Sequence, residues 1–252
     1  MNWIYSPEIW LSLLTLTILE IVLGIDNIVF LSIVTGKLPK HNQRKARNIG
    51  LSLAMITRVL LLLSITWLMK LTVPLFNPSV FLHITNPEWV KNLALSGKDL
   101  ILIIGGCFLL YKSTKEIHEK FQNEELHQKE RKSLSFSATI VQILILDVIF
   151  SLDSVITAVG MCNHVGVMIA AVIIAVFIML VAAKSIGEFV NRHAAIKMLA
   201  LAFLMLIGIS LIASGFKQEI PKGYIYFGMA FSIVVEMLNI KSSKNKKHEN
   251  KI

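Results

Sequence analysis

The sequence predicts an all-α membrane protein with seven transmembrane helices. Of its 252 residues, 55% are hydrophobic and only 16% are charged, whereas soluble domains average about 25% charged residues. Apolar stretches of about 18 residues or more, long enough to cross a bilayer, recur along the chain. In lipid every backbone polar group must be hydrogen-bonded within the protein, which leaves helices or a closed barrel. The stretches lack the alternation of barrel strands, so helices are favoured.

The seven spans follow from the positions of charge clusters and of Gly and Pro residues. The first span begins after Ser6, a good N-cap, and Pro7 and Glu8 suit the first turn of a helix. The third span carries Lys98 and Asp99, and the seventh is the shortest. The predicted spans are 9–34, 49–69, 93–111, 136–161, 165–183, 194–213 and 224–239.

The basic residues predict the orientation of the chain. Most of its 25 Lys and Arg residues fall in segments 35–48, 112–135, 184–197 and 240–252. The positive-inside rule places those segments in the cytoplasm, with the N-terminus outside and the C-terminus inside. Trp3, Trp10, Trp67 and Trp89 fall at the opposite ends of the spans, where an outer aromatic belt is expected. We therefore attribute the net charge of +9 to the basic cytoplasmic segments that orient the chain in the membrane. We expect a lipid bilayer as partner and no nucleic acid.

An internal repeat divides this single membrane domain into halves. EIVLGIDNIV begins at Glu20 and DVIFSLDSVI begins at Asp147. Each motif starts with an acid, which is followed by five residues, an Asp and a small polar residue. Two three-helix units follow, and because three is odd the second enters the membrane inverted, with the seventh helix appended. The predicted parts are a first repeat at 1–115, a cytoplasmic loop at 116–135, an inverted second repeat at 136–216, a seventh helix at 217–240 and a basic tail at 241–252.

The acids of this repeat lie deep in the predicted spans. A charge at the bilayer centre costs about 2.5–3.5 kcal/mol on insertion scales, so such residues need partners or water and suggest a function. With a rise of 1.5 Å per residue, their order from the outside is Asp153, Glu20, Asp147 and Asp26, in steps of about 5 Å. We interpret this order as a ladder of carboxylates that passes a cation across the membrane.

Helical phase restricts how these acids can meet. An offset of six residues leaves Asp26 about 120° away from Glu20 on an unbroken helix, whereas Asn27 lies within about 20° of Glu20. The same holds for the repeat that begins at Asp147. For both acids of a pair to face one cavity, we expect the helices to loosen near Gly24 and Ser151, as transporter helices do at midplane sites.

The residue types point to a divalent cation. Carboxylates with amide and hydroxyl neighbours are hard oxygen ligands, which suit magnesium, calcium or manganese. Four acids against one arginine leave an excess of negative charge, and a buried acid that takes up a proton makes cation/proton exchange chemically available. The predicted metal-binding residues are Glu20, Asp26, Asn27, Asp147, Asp153 and Ser154, with Arg58 as their charge partner.

Four stretches carry a family resemblance. The motifs EIVLGIDN and DVIFSLDS, the run VNRHAAIKMLALAFLMLIG and the segment IPKGYIYFGMAFSIVVEMLN are similar to the TerC family of integral membrane proteins, which is linked to tellurite resistance. The resemblance covers about Trp10 to Asn239. It implies a multi-pass protein of the bacterial inner membrane, related to exporters of the lysine-exporter type, that exports manganese(II). We therefore expect manganese to be the cargo, with no resident cofactor, no catalytic residue and no enzyme activity.

Two other functions are compatible with parts of the pattern. In a membrane-protein assembly or scaffold factor, the buried acids would pair helices, with Glu20 or Asp26 bound to Arg58. One arginine cannot neutralise four acids, which favours an ion site. An intramembrane hydrolase would use paired carboxylates as acid and base, but the sequence lacks a motif that activates water.

Overall fold

Helices dominate the structure, a computed structural model that describes residues 6–78, 90, 94–125, 135–162, 164–218 and 220–249. In chain order the helices are α1 Pro7–Thr35, α2 Lys40–Leu63, α3 Ile65–Lys70, α4 Gly97–Glu125, α5 Phe136–Met161, α6 Val165–Arg192, α7 Ala194–Gly215 and α8 Lys222–Glu249. Two short strands that the sequence did not predict, β1 Pro74–Phe76 and β2 Leu95–Ser96, pair antiparallel. Trp3 and Trp89 of the predicted aromatic belt, residues 126–134 of the predicted loop and residues 250–252 of the tail lie outside the described residues.

The helices differ from the predicted spans mainly in length. Helix α5 has the predicted bounds, but α2, α6 and α8 extend well beyond their spans. Hydropathy marks only the lipid-embedded part of a helix, and a helix can continue into water. The second span, predicted as one helix, is divided at Ser64, whose backbone leaves the helical conformation (φ −91°, ψ 24°). The Ser64 hydroxyl donates to the Leu60 carbonyl at 2.7 Å, a back-bond that often bends helices.

An all-helical membrane architecture is confirmed, but the count of seven spans is not. Among the described residues, six helices are long and apolar enough to cross a membrane: α1, α2, α5, α6, α7 and residues Lys222–Ser242 of α8. Helix α4, at the place of the third predicted span, does not qualify because Lys98, Asp99 and Lys112 shorten its apolar run. The seven-span count and the positions of the termini stay predictions.

The packing of the helices relates the two halves of the chain. Helix α1 packs along α6, α2 packs on α5 and α6, and α4 packs along α7. The first helix of each half thus packs on the second helix of the other half, as an inverted repeat would arrange them, and the repeat itself stays a prediction. Helix α8 lies at the edge of the bundle, since only 11% of its most apolar 18-residue stretch is buried within the protein.

Ion pairs tie the connection between α1 and α2 to the far end of α4. Lys37 Nζ lies 2.5 Å from Glu116 Oε1 and 2.9 Å from Glu119 Oε2. Burial lowers the pKa of Lys37, but the hydrogen bonds and charges of the two glutamates outweigh it, so its pKa lies above 10.5. Burial raises the pKa of Glu119, and Lys37 more than offsets this, so its pKa lies below 4.5. Lys37 and Glu119 therefore remain charged at neutral pH.

Two glycines allow α4 and α7 to touch. A Cβ atom at Gly106 would lie 2.5 Å from the Gly208 carbonyl oxygen, and one at Gly208 would lie 3.0 Å from that of Gly106. Small residues are what permit such close approach between membrane helices.

We expect Gly106→Val to force these helices apart and to lower the free energy of unfolding by about 1–3 kcal/mol, as overpacking does. The measurement is the midpoint of thermal unfolding in detergent. Gly228→Val is the matched control, because a Cβ at Gly228 meets nothing within 4 Å. Equal midpoints for the two variants would contradict the close packing of α4 on α7.

Candidate functional site

The first acids of the two repeated motifs meet at one arginine. Arg58 on α2 donates from Nη1 to Glu20 Oε2 at 2.5 Å and from Nη2 to Asp147 Oδ1 at 3.1 Å. Asp147 Oδ2 also accepts from the Thr57 hydroxyl at 3.0 Å and from the Ser151 hydroxyl at 3.4 Å. The three charged side chains are at most 5% exposed. We call Glu20, Arg58 and Asp147 the buried triad.

The buried triad links α1, α2 and α5 at one depth. Two carboxylates and one guanidinium leave a net charge of −1, and each carboxylate is engaged with the guanidinium. Removing one partner from a buried ion pair typically costs about 3–5 kcal/mol, because the other charge is left uncompensated. These two acids therefore have a structural role in this conformation and present few free oxygens to a ligand.

The second acids of the motifs face a separate small cavity of about 40 Å³. One water occupies about 10–15 Å³ of such a cavity, so the space holds about three waters or a partly hydrated cation. Arg58 also lines it and so lies between the buried triad and the cavity. Six oxygen-bearing residues line the cavity: Asp26, Asp153, Ser154, Ser210, Ser214 and Tyr226. We call this the carboxylate cavity.

Asp26 is the residue of the carboxylate cavity whose bonding is incomplete. Its side chain is only 6% exposed, and its Oδ1 atom has no hydrogen-bond partner among the described residues. The Tyr226 hydroxyl lies within hydrogen-bonding reach of the same carboxylate. Leaving a buried polar atom without a partner costs about 1–3 kcal/mol, and a charged group costs more. Asp26 is therefore the acid at this cavity whose hydrogen-bonding capacity is not fully used.

Asp153 is bound by two ammonium groups. Lys222, the first residue of α8, donates from Nζ to Asp153 Oδ2, and Lys98 Nζ from the start of α4 lies 3.5 Å from Oδ1. No role at the site was predicted for Lys222, Lys98 or Tyr226. A signal was present for two of them, because Lys222 and Tyr226 are four residues apart and so share one face of a helix.

The structure does not bring the four acids together as predicted. Helices α1 and α5 run unbroken through Gly24 and Ser151, so the expected loosening is absent there. Gly24 instead makes room for α6, because a Cβ atom at Gly24 would overlap the Met179 side chain. On continuous helices the acids of each motif point in different directions, and each pairs with its counterpart in the other half.

The other predicted ligands are placed as follows. Ser154 lines the carboxylate cavity beside Asp153. Asn27 does not line it, and its Nδ2 atom is buried without a hydrogen-bond partner within the described part of the chain. No group of three or more His, Cys, Asp or Glu side chains suited to a metal ion occurs in that part either. A cation in the cavity would thus have two carboxylates, and hydroxyls or waters would complete its ligands.

Comparison with known proteins gives consistent matches over the whole chain. The sequence profile described as Integral membrane protein TerC family matches residues 5–251. A UPF0053 protein of Haemophilus influenzae is 54% identical over 241 residues, which cover 95% of this chain and 97% of that protein. The UPF0053 inner membrane protein YgdQ of Escherichia coli K12 is 54% identical over 244 residues, with 96% and 98% covered.

A third relative is longer than this chain. The UPF0053 inner membrane protein YoaE of Escherichia coli K12 is 48% identical over 246 residues, which are 97% of this chain and 45% of YoaE. The shared region is therefore a unit that a longer protein also contains. No solved structure matches the chain.

Proposed function

The chain belongs to the TerC family of integral membrane proteins, and on that premise we propose that it exports a divalent metal cation, manganese(II) above all, through the carboxylate cavity. The observation that carries the proposal is the buried, unpartnered Oδ1 atom of Asp26. Asp26 lines a cavity that is also lined by Asp153 and by several residues that carry hydroxyl groups. Acids buried among apolar helices by default mark an ion or proton path.

The chemistry of the cavity supports a hard divalent cation. Its lining offers carboxylate and hydroxyl oxygens, which suit magnesium, calcium and manganese, and no histidine or cysteine is among the described residues that line it. The two carboxylates carry a formal charge of −2, and Lys222 and Lys98 offset part of it when no metal is bound. A proton on Asp26 would satisfy the same oxygen when the cation is absent. We therefore propose exchange of the metal for protons.

The cellular location of the protein is inferred from the names of its relatives. Two of them are named inner membrane proteins, and we infer that this chain is likewise a multi-pass protein of a bacterial inner membrane. Its proposed partners are the metal ion and the lipid bilayer, with no nucleic acid. We propose no enzyme activity and no resident cofactor, since the metal is cargo.

A membrane-assembly or scaffold factor is the alternative, and the buried triad favours it. The contacts of Arg58 with Glu20 and Asp147 use two of the four acids to join helices, which is what a scaffold would need. The unpartnered oxygen of Asp26 serves no such contact, and it is the reason that we place transport first.

The deciding experiment measures the metal content of cells. The protein is expressed in a host that lacks its own manganese exporters, and the cells are loaded with manganese. We expect intracellular manganese to fall relative to cells with an empty vector, while the contents of zinc and copper stay unchanged. Detection of the protein in the membrane fraction is the control for expression. Unchanged manganese with the protein present would contradict export and favour the scaffold function.

A further inference from the structure

Lys222 places its ammonium group at the position where the proposed site would bind the metal ion. Its ammonium group binds Asp153 Oδ2, and its side chain lines the carboxylate cavity that Asp26 faces. Because both a metal ion and an ammonium group seek the same carboxylate oxygens, the two cations compete for Asp153.

The charges of the cavity place Lys222 and a metal ion in competition. With Lys222 and Lys98 beside it, the negative charge of Asp153 is more than offset, whereas Asp26 has no ion pair among the described residues. With a divalent ion bound between the two carboxylates, both are neutralised, and an ammonium group that stayed beside the ion would be repelled by it. Binding of the metal therefore requires Lys222 to leave Asp153.

The position of Lys222 allows it to leave. It is the first residue of α8, and its side chain is 40% exposed whereas that of Asp153 is only 16% exposed. Helix α8 lies at the edge of the bundle, and the lysine ammonium is carried on a flexible four-carbon stem that is readily hydrated. Lys98, whose side chain is 22% exposed, approaches Asp153 less closely.

We propose that Lys222 is a tethered counter-cation that competes with the transported metal for Asp153. It fills the empty site, swings towards solvent when the metal binds between Asp26 and Asp153, and displaces the metal when it returns. This role rests on the proposed function. It also explains why the helix that follows the two halves contributes a charged residue to the cavity.

Binding of manganese(II) to the purified protein tests the proposal. Equilibrium dialysis with radioactive manganese compares wild type with Lys222→Met, which keeps the length of the stem and removes the charge. We expect Lys222→Met to bind about tenfold tighter, because a competing charge is gone, and to transport more slowly in proteoliposomes, because release is impaired. Lys222→Arg should bind as wild type does. Lys70→Met, at an exposed lysine outside the cavity, is the matched control.

A second measurement does not depend on the folding of a variant. Wild-type protein is acetylated with and without saturating manganese, and the modification of each lysine is quantified by mass spectrometry. We expect the labelling of Lys222 to rise several-fold with manganese while that of Lys70 stays constant. Unchanged labelling of Lys222 in protein that has bound manganese would overturn the proposal.

The outcomes separate the two ideas. If wild type binds no manganese, the proposed function fails, and the role of Lys222 fails with it. If wild type binds manganese and Asp26→Asn does not, but Lys222→Met binds no more tightly than wild type, then only the role of Lys222 is overturned.

Discussion

Asp26→Asn is expected to abolish manganese export while leaving the protein in the membrane. The substitution keeps the size of the side chain and removes one of the two carboxylates of the carboxylate cavity. Loss of residues that only orient metal ligands already weakens metal binding about 10–100-fold, so loss of a ligand should raise the Kd for manganese at least about 100-fold. Dialysis of the purified variant measures the Kd, and growth of exporter-deficient cells under manganese load measures export.

The same comparison should include Asp153→Asn and a control acid. Asp153→Asn removes the other carboxylate and releases Lys222, so it is expected to fail in both measurements as Asp26→Asn does. Glu236→Gln removes an acid of α8 that does not line the cavity, and it should behave as wild type. Normal tolerance of manganese in cells with Asp26→Asn would show that this residue does not bind the cargo.

Arg58→Ala is expected to destabilise the protein by about 3–5 kcal/mol. The variant leaves Glu20 and Asp147 facing each other in a buried environment with no cation between them. Thermal unfolding in detergent and the yield in the membrane fraction measure the loss. Arg44→Ala, at an exposed arginine of the same helix, is the matched control.

A charge-free triad distinguishes electrostatics from packing. Arg58→Met combined with Glu20→Gln and Asp147→Asn removes all three charges and roughly keeps their volumes. Buried ion pairs can often be replaced by uncharged residues at little cost, so this triple variant should be more stable than Arg58→Ala. If Arg58→Ala unfolds at the temperature of wild type, the buried triad does not stabilise the fold.

The sequence predicted the helical architecture because composition and hydropathy alone determine it. Helix α5 matched residue for residue, since Ser135 and Cys162, its N-cap and C-cap residues, flank a predominantly apolar segment. The division of the second span at Ser64 and the length of α4 were missed. Both depend on local backbone bonding and on water beyond the bilayer, and hydropathy reports neither.

The candidate site was predicted less completely than the fold. The repeated acids could be recognised, because charged residues in apolar spans are rare. Arg58 was also predicted as their charge partner, but which acids it binds could not be predicted, because Arg58 is 38 residues from Glu20 and 89 residues from Asp147 in sequence. Which side chains meet depends on the rotation of each helix about its axis, and tertiary packing sets that rotation. Lys222 and Tyr226 were missed for the same reason.

The buried triad also constrains how the protein can move. It joins α1 and α2 of one half to α5 of the other through a single guanidinium group. Pulling the halves apart at that level would strand charges in a medium of low dielectric constant, which is strongly unfavourable. For the proposed transport, we therefore expect the triad to stay intact as the pivot of the motion. Access to the cavity from either side of the membrane is expected to alternate by rocking about Arg58, with the largest displacements at the helix ends and the smallest at the guanidinium.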